Sequence, residues 1–257
     1  MPYVQTPHLT HTTDGPVTIL TLNNPEMRNA FLDDMHEAMQ EVWWHLSKDD
    51  SVRAVVITGA GKAFSAGGNI PSFIRSYDDP DYRRYSLREA RRLMDAMAEF
   101  PKPVIAAVNG PAVGLGCSVA LGCDIVYMAE SAYMADTHVS IGLVAGDGGA
   151  ACWPLFMSLL KAKEYLFTGD RIPAHEAVAM GLANRVVPDA ELLPKAIEFA
   201  HRLAGLPRQA LQETKRSLNI HMQNAIQLVA PFALSAEAES FATDDLKRTI
   251  EGFKKKG

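Results

Sequence analysis

Four short runs rich in β-branched and other apolar residues, Val17–Leu22, Ala54–Gly59, Val104–Val108 and Ile125–Ala129, punctuate the first half of the chain. Each has the length and composition of a strand. Between them lie stretches of helical period. Residues 29–48 place Phe31, Leu32, Met35, Met39, Val42 and Leu46 along one stripe, and residues 83–100 do the same with Leu87, Leu93, Met94 and Met97. Strands that alternate with helices predict an α/β fold. From about Glu191 the pattern turns almost wholly helical, over residues 192–203, 209–222, 226–241 and 244–255, with breaks expected near Pro207 and Pro231. The chain therefore divides into a strand-bearing core, 1–190, and a helical C-terminal region, 191–257. No low-complexity segment or repeat interrupts it.

Composition narrows the class of partner. With 47% hydrophobic and 21% charged residues among 257, the chain can bury a sizeable core and is not disordered. Its net charge is −5, and the only basic run is Lys254–Lys256, so neither nucleic acid nor an anionic membrane is an expected partner. Residues 1–13 lack the basic start and apolar stretch of a secretory signal, and a cytoplasmic location is expected. Cys117, Cys123 and Cys152 form no CxxC pair and read as small buried hydrophobes. Residues 104–123 carry no charge over a length that could span a bilayer, but Asn109, Pro111 and four glycines break them into strand, turn and helix. No group of His, Cys or Asp has metal-ligand spacing, so no metal is expected.

Two glycine-rich loops follow strands. The first is Gly61-Lys62-Ala63-Phe64-Ser65-Ala66-Gly67-Gly68-Asn69-Ile70, the second Asn109-Gly110-Pro111-Ala112-Val113-Gly114-Leu115-Gly116-Cys117-Ser118. Taken singly, each fits an ordinary tight strand-to-helix turn, and neither is a dinucleotide or P-loop signature. Together they offer backbone N–H groups from two separate loops at the ends of two strands, which is how an oxyanion hole is built.

The pair AFSAGGNI and AVNGPAVGLG, followed in order by CDIVYMAE, GLVAGDGG, FTGD, GLANRVV and FATDD, resembles the crotonase (enoyl-CoA hydratase/isomerase) family over nearly the whole chain, including Asn24-Pro25 and Arg28-Asn29-Ala30 near the start. The resemblance implies a spiral of ββα units with a helical C-terminal region used in oligomerisation, a homotrimer or a hexamer made as a dimer of trimers, and an acyl-CoA thioester as substrate. Coenzyme A enters as part of that substrate and no separate cofactor is implied. It further implies that the N–H groups of Gly68 and Leu115 hold the thioester oxygen. Arg28, Lys62, Ala63 and Ala66 fall where family members line the coenzyme A site, and Phe253 and Lys256 match tail residues that reach the coenzyme A of an adjacent subunit.

The departures from the family pattern bear on the reaction. Where hydratases of this family carry two glutamates, the chain has Ser118 and His138. A serine without a base does not activate water, so Ser118 is expected at most to position a group. Nine residues after His138 stands Asp147, among the glycines of Gly146-Asp147-Gly148-Gly149. It reads either as a helix cap or as the carboxylate of a His–Asp dyad. Asp136, two residues before His138, is a second candidate carboxylate. Glu89, Asp95, Tyr77, Tyr82 and Tyr85 are weaker candidates near the acyl group, the tyrosines in a loop, and the other histidines receive no role. Three readings follow: enolate chemistry on an acyl-CoA, of the hydratase/isomerase kind; hydrolysis of a carbon–carbon bond in a β-dicarbonyl compound by His138 and Asp147; and a catalytically silent acyl-CoA-binding protein.

Overall fold

The computed structural model describes residues 6–255. Its strands are β1 (Leu9–Asp14), β2 (Val17–Leu22), β3 (Ala54–Gly59), β4 (Val104–Val108), β5 (Ala112–Val113), β6 (Ile125–Ala129), β7 (Tyr133–Ala135), β8 (Ile172–Pro173) and β9 (Arg185–Val187). Its helices are α1 (Asp33–Lys48), α2 (Ile70–Asp78), α3 (Pro80–Glu99), α4 (Leu115–Leu121), α5 (His138–Ile141), α6 (Gly149–Phe156), α7 (Leu159–Thr168), α8 (Ala174–Met180), α9 (Leu192–Ala204), α10 (Arg208–Ser240) and α11 (Asp244–Lys254). The four strands read from apolar runs are β2, β3, β4 and β6, at the expected bounds. β1 and β9 escape that reading because their outward residues are exposed and polar, as edge strands are.

The larger sheet has the order β1-β2-β3-β4-β6-β9, with β1 antiparallel to β2 and the rest parallel. All six residues of β3 and all five of β4 are buried, as central parallel strands covered on both faces must be. The smaller sheet, β5-β7-β8, takes one strand from each successive turn of chain, so that β4-β5-α4 and β6-β7-α5 form consecutive ββα turns of a spiral. A bridge between Ser65 and Ala112 adds the turn after β3 to the same stack. The C-terminal helices close the fold: Leu192, Ala196, Ile226 and Ala230 join the main core cluster, while Leu246 and Ile250 build a second one with Leu143 and Phe241. Among the described residues no helix is long and apolar enough to cross a membrane.

Three expectations need correction. Helix α1 starts at Asp33 and not at Asn29, because Arg28 and Asn29 have φ of 53° and 55°. Asn29 is held there by its own amide, which donates to Ala60 O at 2.9 Å and Ala63 O at 2.8 Å. The tyrosines expected in a loop lie on helices, Tyr77 on α2 and Tyr82 and Tyr85 on α3. Finally, α10 runs unbroken for 33 residues through Pro231. Proline removes one backbone donor, but Ile226, Ala230, Ala233 and Glu237 keep one buried face continuous across it.

Candidate active site

The two glycine loops leave the C-terminal ends of the adjacent parallel strands β3 and β4, the edge where open α/β sheets place their ligands. They touch through backbone. A methyl group added at Gly67, whose φ is +81°, would lie 2.5 Å from Val113 O and 3.2 Å from Leu115 N. Gly68 and Leu115 consequently line one cavity of about 50 Å³ with Ala66, Phe73, Gly114 and His138. Leu115 opens α4, so its N–H has no acceptor within the helix.

His138 begins α5 directly after β7 and is 6% exposed. Its Nδ1 lies 2.6 Å from Asp136 Oδ1, and its backbone N–H donates to the same oxygen at 3.1 Å. Its Nε2 lies 3.3 Å from Asp147 Oδ2. Burial alone would pull the imidazole down, but the Asp147 and Asp136 carboxylates outweigh it and hold the ring well above the usual histidine range. A carboxylate at each ring nitrogen thus favours the protonated form of the imidazole. Burial likewise pushes Asp136 up, and the charge and N–H groups of His138 more than offset this, leaving its carboxyl below the ordinary range. Asp147 keeps Oδ1 buried and without a hydrogen-bond partner. It does not cap α6: Gly148 holds the cap position, and no side chain caps that helix.

The glycines around Asp147 have a common cause. A methyl group at Gly146 would stand 2.4 Å from Glu237 Oε2, one at Gly148 2.6 Å from Ser118 Oγ, and one at Gly149 2.3 Å from Asp136 Oδ2. Three polar side chains press against this loop, and only hydrogen at each Cα lets them approach. Ser118 is fully buried and its Oγ makes no hydrogen bond.

Two residues that the sequence did not single out complete the surroundings. Glu237, from α10, is 4% exposed, and its Oε2 is unpartnered. Burial raises its carboxyl, His138 lowers it, and Asp147 and Asp136 raise it further, to about 8. His36, from α1, has a buried, unpartnered Nδ1, and burial pulls its ring below the usual range against the opposing charges of Asp147, Asp33 and Glu89. Both residues line a second cavity of about 50 Å³, which shares Gly68 and Phe73 with the first.

The remaining candidates spread over the rim and beyond. Ala66 lines the first cavity, and its N–H donates to Arg28 O at 2.9 Å. Arg28 and Lys62 are exposed, and Ala63 is buried with its carbonyl accepting from Asn29. Tyr82 lines the second cavity and donates to Asp33 at 2.6 Å. Glu89 is engaged by Gln40 and Arg92, each at 2.8 Å, and Asp95 by Arg91 at 2.8 Å. Phe253 packs within its own chain on the cluster of Leu143, Phe241, Leu246 and Ile250, and Lys256 lies outside the described residues. Among the described residues no three His, Cys, Asp or Glu side chains are arranged to hold a metal ion.

Comparison with known proteins converges on one family. The model for enoyl-CoA hydratase/isomerase matches residues 12–257. The short-chain-enoyl-CoA hydratase of Clostridium acetobutylicum is 34% identical over 251 residues, covering 94% of this chain and 95% of that protein. The crotonyl-CoA hydratase of Syntrophomonas wolfei is 33% identical over 243 residues, covering 93% and 92%. Among solved structures, an enoyl-CoA hydratase/isomerase from Mycobacterium paratuberculosis superimposes with a TM-score of 0.93 at 47% identity, covering 97% of this chain and 100% of that one.

Proposed function

Because the chain belongs to the enoyl-CoA hydratase/isomerase family, we propose that its substrate is an acyl-CoA thioester and that its reaction, hydration or isomerisation of an enoyl group, passes through the thioester enolate. The observation that carries this reading is the single cavity shared by Gly68, Leu115 and His138. Two N–H groups from separate loops stabilise the charge that grows on the thioester oxygen as the α-proton leaves or a nucleophile adds.

Asp147 is the base. Both nitrogens of His138 face carboxylates, which favour the ring already carrying its second proton and so unable to accept another, whereas Asp147 Oδ1 has no hydrogen-bond partner. His138, gripped from behind by Asp136, fixes the orientation of Asp147 through its other oxygen. The dyad thus works in the opposite sense from a serine-protease triad, with the imidazolium as the support and the carboxylate as the acceptor. Ser118 stands beside this loop as a positioning group. Arg28, Lys62, Ala63 and Ala66 form the coenzyme A rim.

Exchange of the α-proton of saturated and unsaturated acyl-CoAs in heavy water, followed by mass spectrometry, tests the reading. Deuterium at the α-carbon in the parent protein, lost in Asp147→Asn by about two to four orders of magnitude, supports it. Binding without exchange, unchanged by that substitution, indicates the silent binding protein.

The Asp136–His138–Asp147 chain, standing in place of a glutamate pair, also supports a second reading, hydrolysis of a carbon–carbon bond in a β-dicarbonyl compound. There Asp147 would deprotonate a water that attacks one carbonyl, and the departing enolate would sit against Gly68 and Leu115. Two carbonyl products from a β-diketone free of coenzyme A would distinguish it. Self-association into a trimer or hexamer is supported by the strongly exposed Leu160, Phe167, Leu228 and Phe232, and light scattering reads it directly.

A further inference from the structure

The Asp147 side chain is lightly held for a base. Its Oδ2 meets His138 Nε2 at 3.3 Å, a long contact, and its Oδ1 has no partner. Where the carboxylate points therefore depends on the backbone of the loop that carries it. That loop is closed on itself, with the Gly146 N–H donating to Val144 O at 2.8 Å and the Ala150 N–H to Ala145 O at 3.1 Å. Its place in the molecule is set by what presses on it from outside.

One of those pressing groups comes from the C-terminal helices. Ala233 and Glu237, one turn apart on α10, both meet Gly146, the residue before Asp147: a methyl group there would lie 2.9 Å from Ala233 O and 2.4 Å from Glu237 Oε2. Glu237 is 4% exposed. Around it stand Asp136, His138 and Asp147, and the cavity it borders adds Asp33 and His36 from α1 and Tyr82 from α3. Two guanidiniums of α3, which packs against α10, are engaged elsewhere, Arg83 over the Phe241 ring and Arg91 with Asp95. His138 already faces two carboxylates. A carboxyl in this setting fits while it keeps its proton, and as a carboxylate it would bring a third negative charge to one imidazole in the interior.

We propose that Glu237 is a positioning residue for the base: uncharged and wedged between α10 and Gly146, it holds the loop that aims Asp147. Once ionised it repels Asp147 and Asp136, the loop shifts, and α-proton transfer slows. A displacement of about 1 Å is enough to cost about a hundredfold in rate. The proposal rests on the reading of Asp147 as the base and adds to it a side chain from ninety residues further along the chain.

The test is the pH profile of α-proton exchange into butyryl-CoA in heavy water, with butyryl-CoA affinity measured by calorimetry. It compares the full-length parent protein with Glu237→Gln, Glu237→Leu and Asp147→Asn. Glutamine has the shape of the protonated acid and does not ionise, whereas leucine fills the space without a polar atom. The parent rate should fall as pH rises through about 8. Glu237→Gln should match the parent below that value and stay level through it. Glu237→Leu should bind butyryl-CoA within about threefold of the parent, which shows that it is folded, and should exchange at least about tenfold more slowly. Where the leucine variant does not bind, the glutamine profile decides alone. A parent profile level through that pH, a Glu237→Gln profile that still falls there, or a Glu237→Leu rate equal to the parent's overturns the proposal and leaves the enolate reading standing. No exchange in the parent protein, or exchange that Asp147→Asn leaves unchanged, overturns Asp147 as the base, and this proposal with it.

Discussion

Replacing Glu237 by glutamine should change how stability depends on pH, and the size of the change follows from burial. In an unfolded chain the carboxyl titrates near 4.5, whereas in the folded protein desolvation and two neighbouring carboxylates move it to about 8. Between those values the folded state keeps a proton that the unfolded state has released, so stability falls as pH rises. At about 1.36 kcal/mol per unit, the whole interval is worth about 5 kcal/mol. His138 acts in the same direction. Its folded value is raised, so its contribution is complete below about 6.5 and is lost as pH climbs through the higher folded value. Comparing the parent protein with Glu237→Gln cancels the titrations of groups that do not interact with Glu237. Urea unfolding at pH 5 and at pH 8, at one protein concentration, measures the difference. The glutamine variant should gain about 3–5 kcal/mol on the parent between the two pH values. A gap that stays constant within about 1 kcal/mol would mean that Glu237 is ionised in the fold, and would refute the argument from burial.

Three other outcomes are expected. Gly149→Ala forces a methyl group to within 2.3 Å of Asp136 Oδ2, so it should cost about 1–3 kcal/mol in urea unfolding and uncouple Asp136 from His138, with α-proton exchange lost alongside. Lys215 Nζ, buried 2.7 Å from Asp124 and 2.7 Å from Lys102 O, should cost about 1–3 kcal/mol when replaced by methionine, because Lys102 O loses this donor while Asp124, open to solvent, keeps the Val104 N–H. Lys254→Ala, which breaks a half-exposed pair with Asp78 at 2.8 Å, should change stability by less than about 1 kcal/mol.

The central strands were legible as strands because burial on both faces leaves no choice but a run of apolar residues, as β3 and β4 have. Both glycine loops were legible for a related reason, since a Cβ at Gly67 would stand 2.5 Å from Val113 O and no side chain is admitted there. Asp136, His138 and Asp147 lie close in the chain, and a strand end followed by a short turn is enough to gather them. What the sequence could not reveal is who else reaches that loop. Glu237 comes from a helix ninety residues later, and its local pattern, Ala-Glu-Ala-Glu, is that of any solvated helix surface. The usable signal was phase: Ala230, Ala233 and Glu237 fall on one face, and a carboxylate in phase with buried alanines is out of place. His36 gave less, since it sits beside Met35 in a helix whose neighbouring positions are partly exposed. The start of α1 was misread because the tie from Asn29 to Ala60 and Ala63 spans more than thirty residues, beyond the reach of any local propensity.

Helix α10 meets two different surroundings along its length. Leu228 and Phe232 are 82% and 79% exposed, while Glu237 is sealed in the interior. At 1.5 Å per residue, Phe232 and Glu237 are separated by only about 7.5 Å along the axis. A rod so short transmits displacement with little loss, so a surface that settles against Leu228 and Phe232 also fixes where the Glu237 carboxyl stands. Self-association through these two side chains would then tie the place of Glu237 to protein concentration.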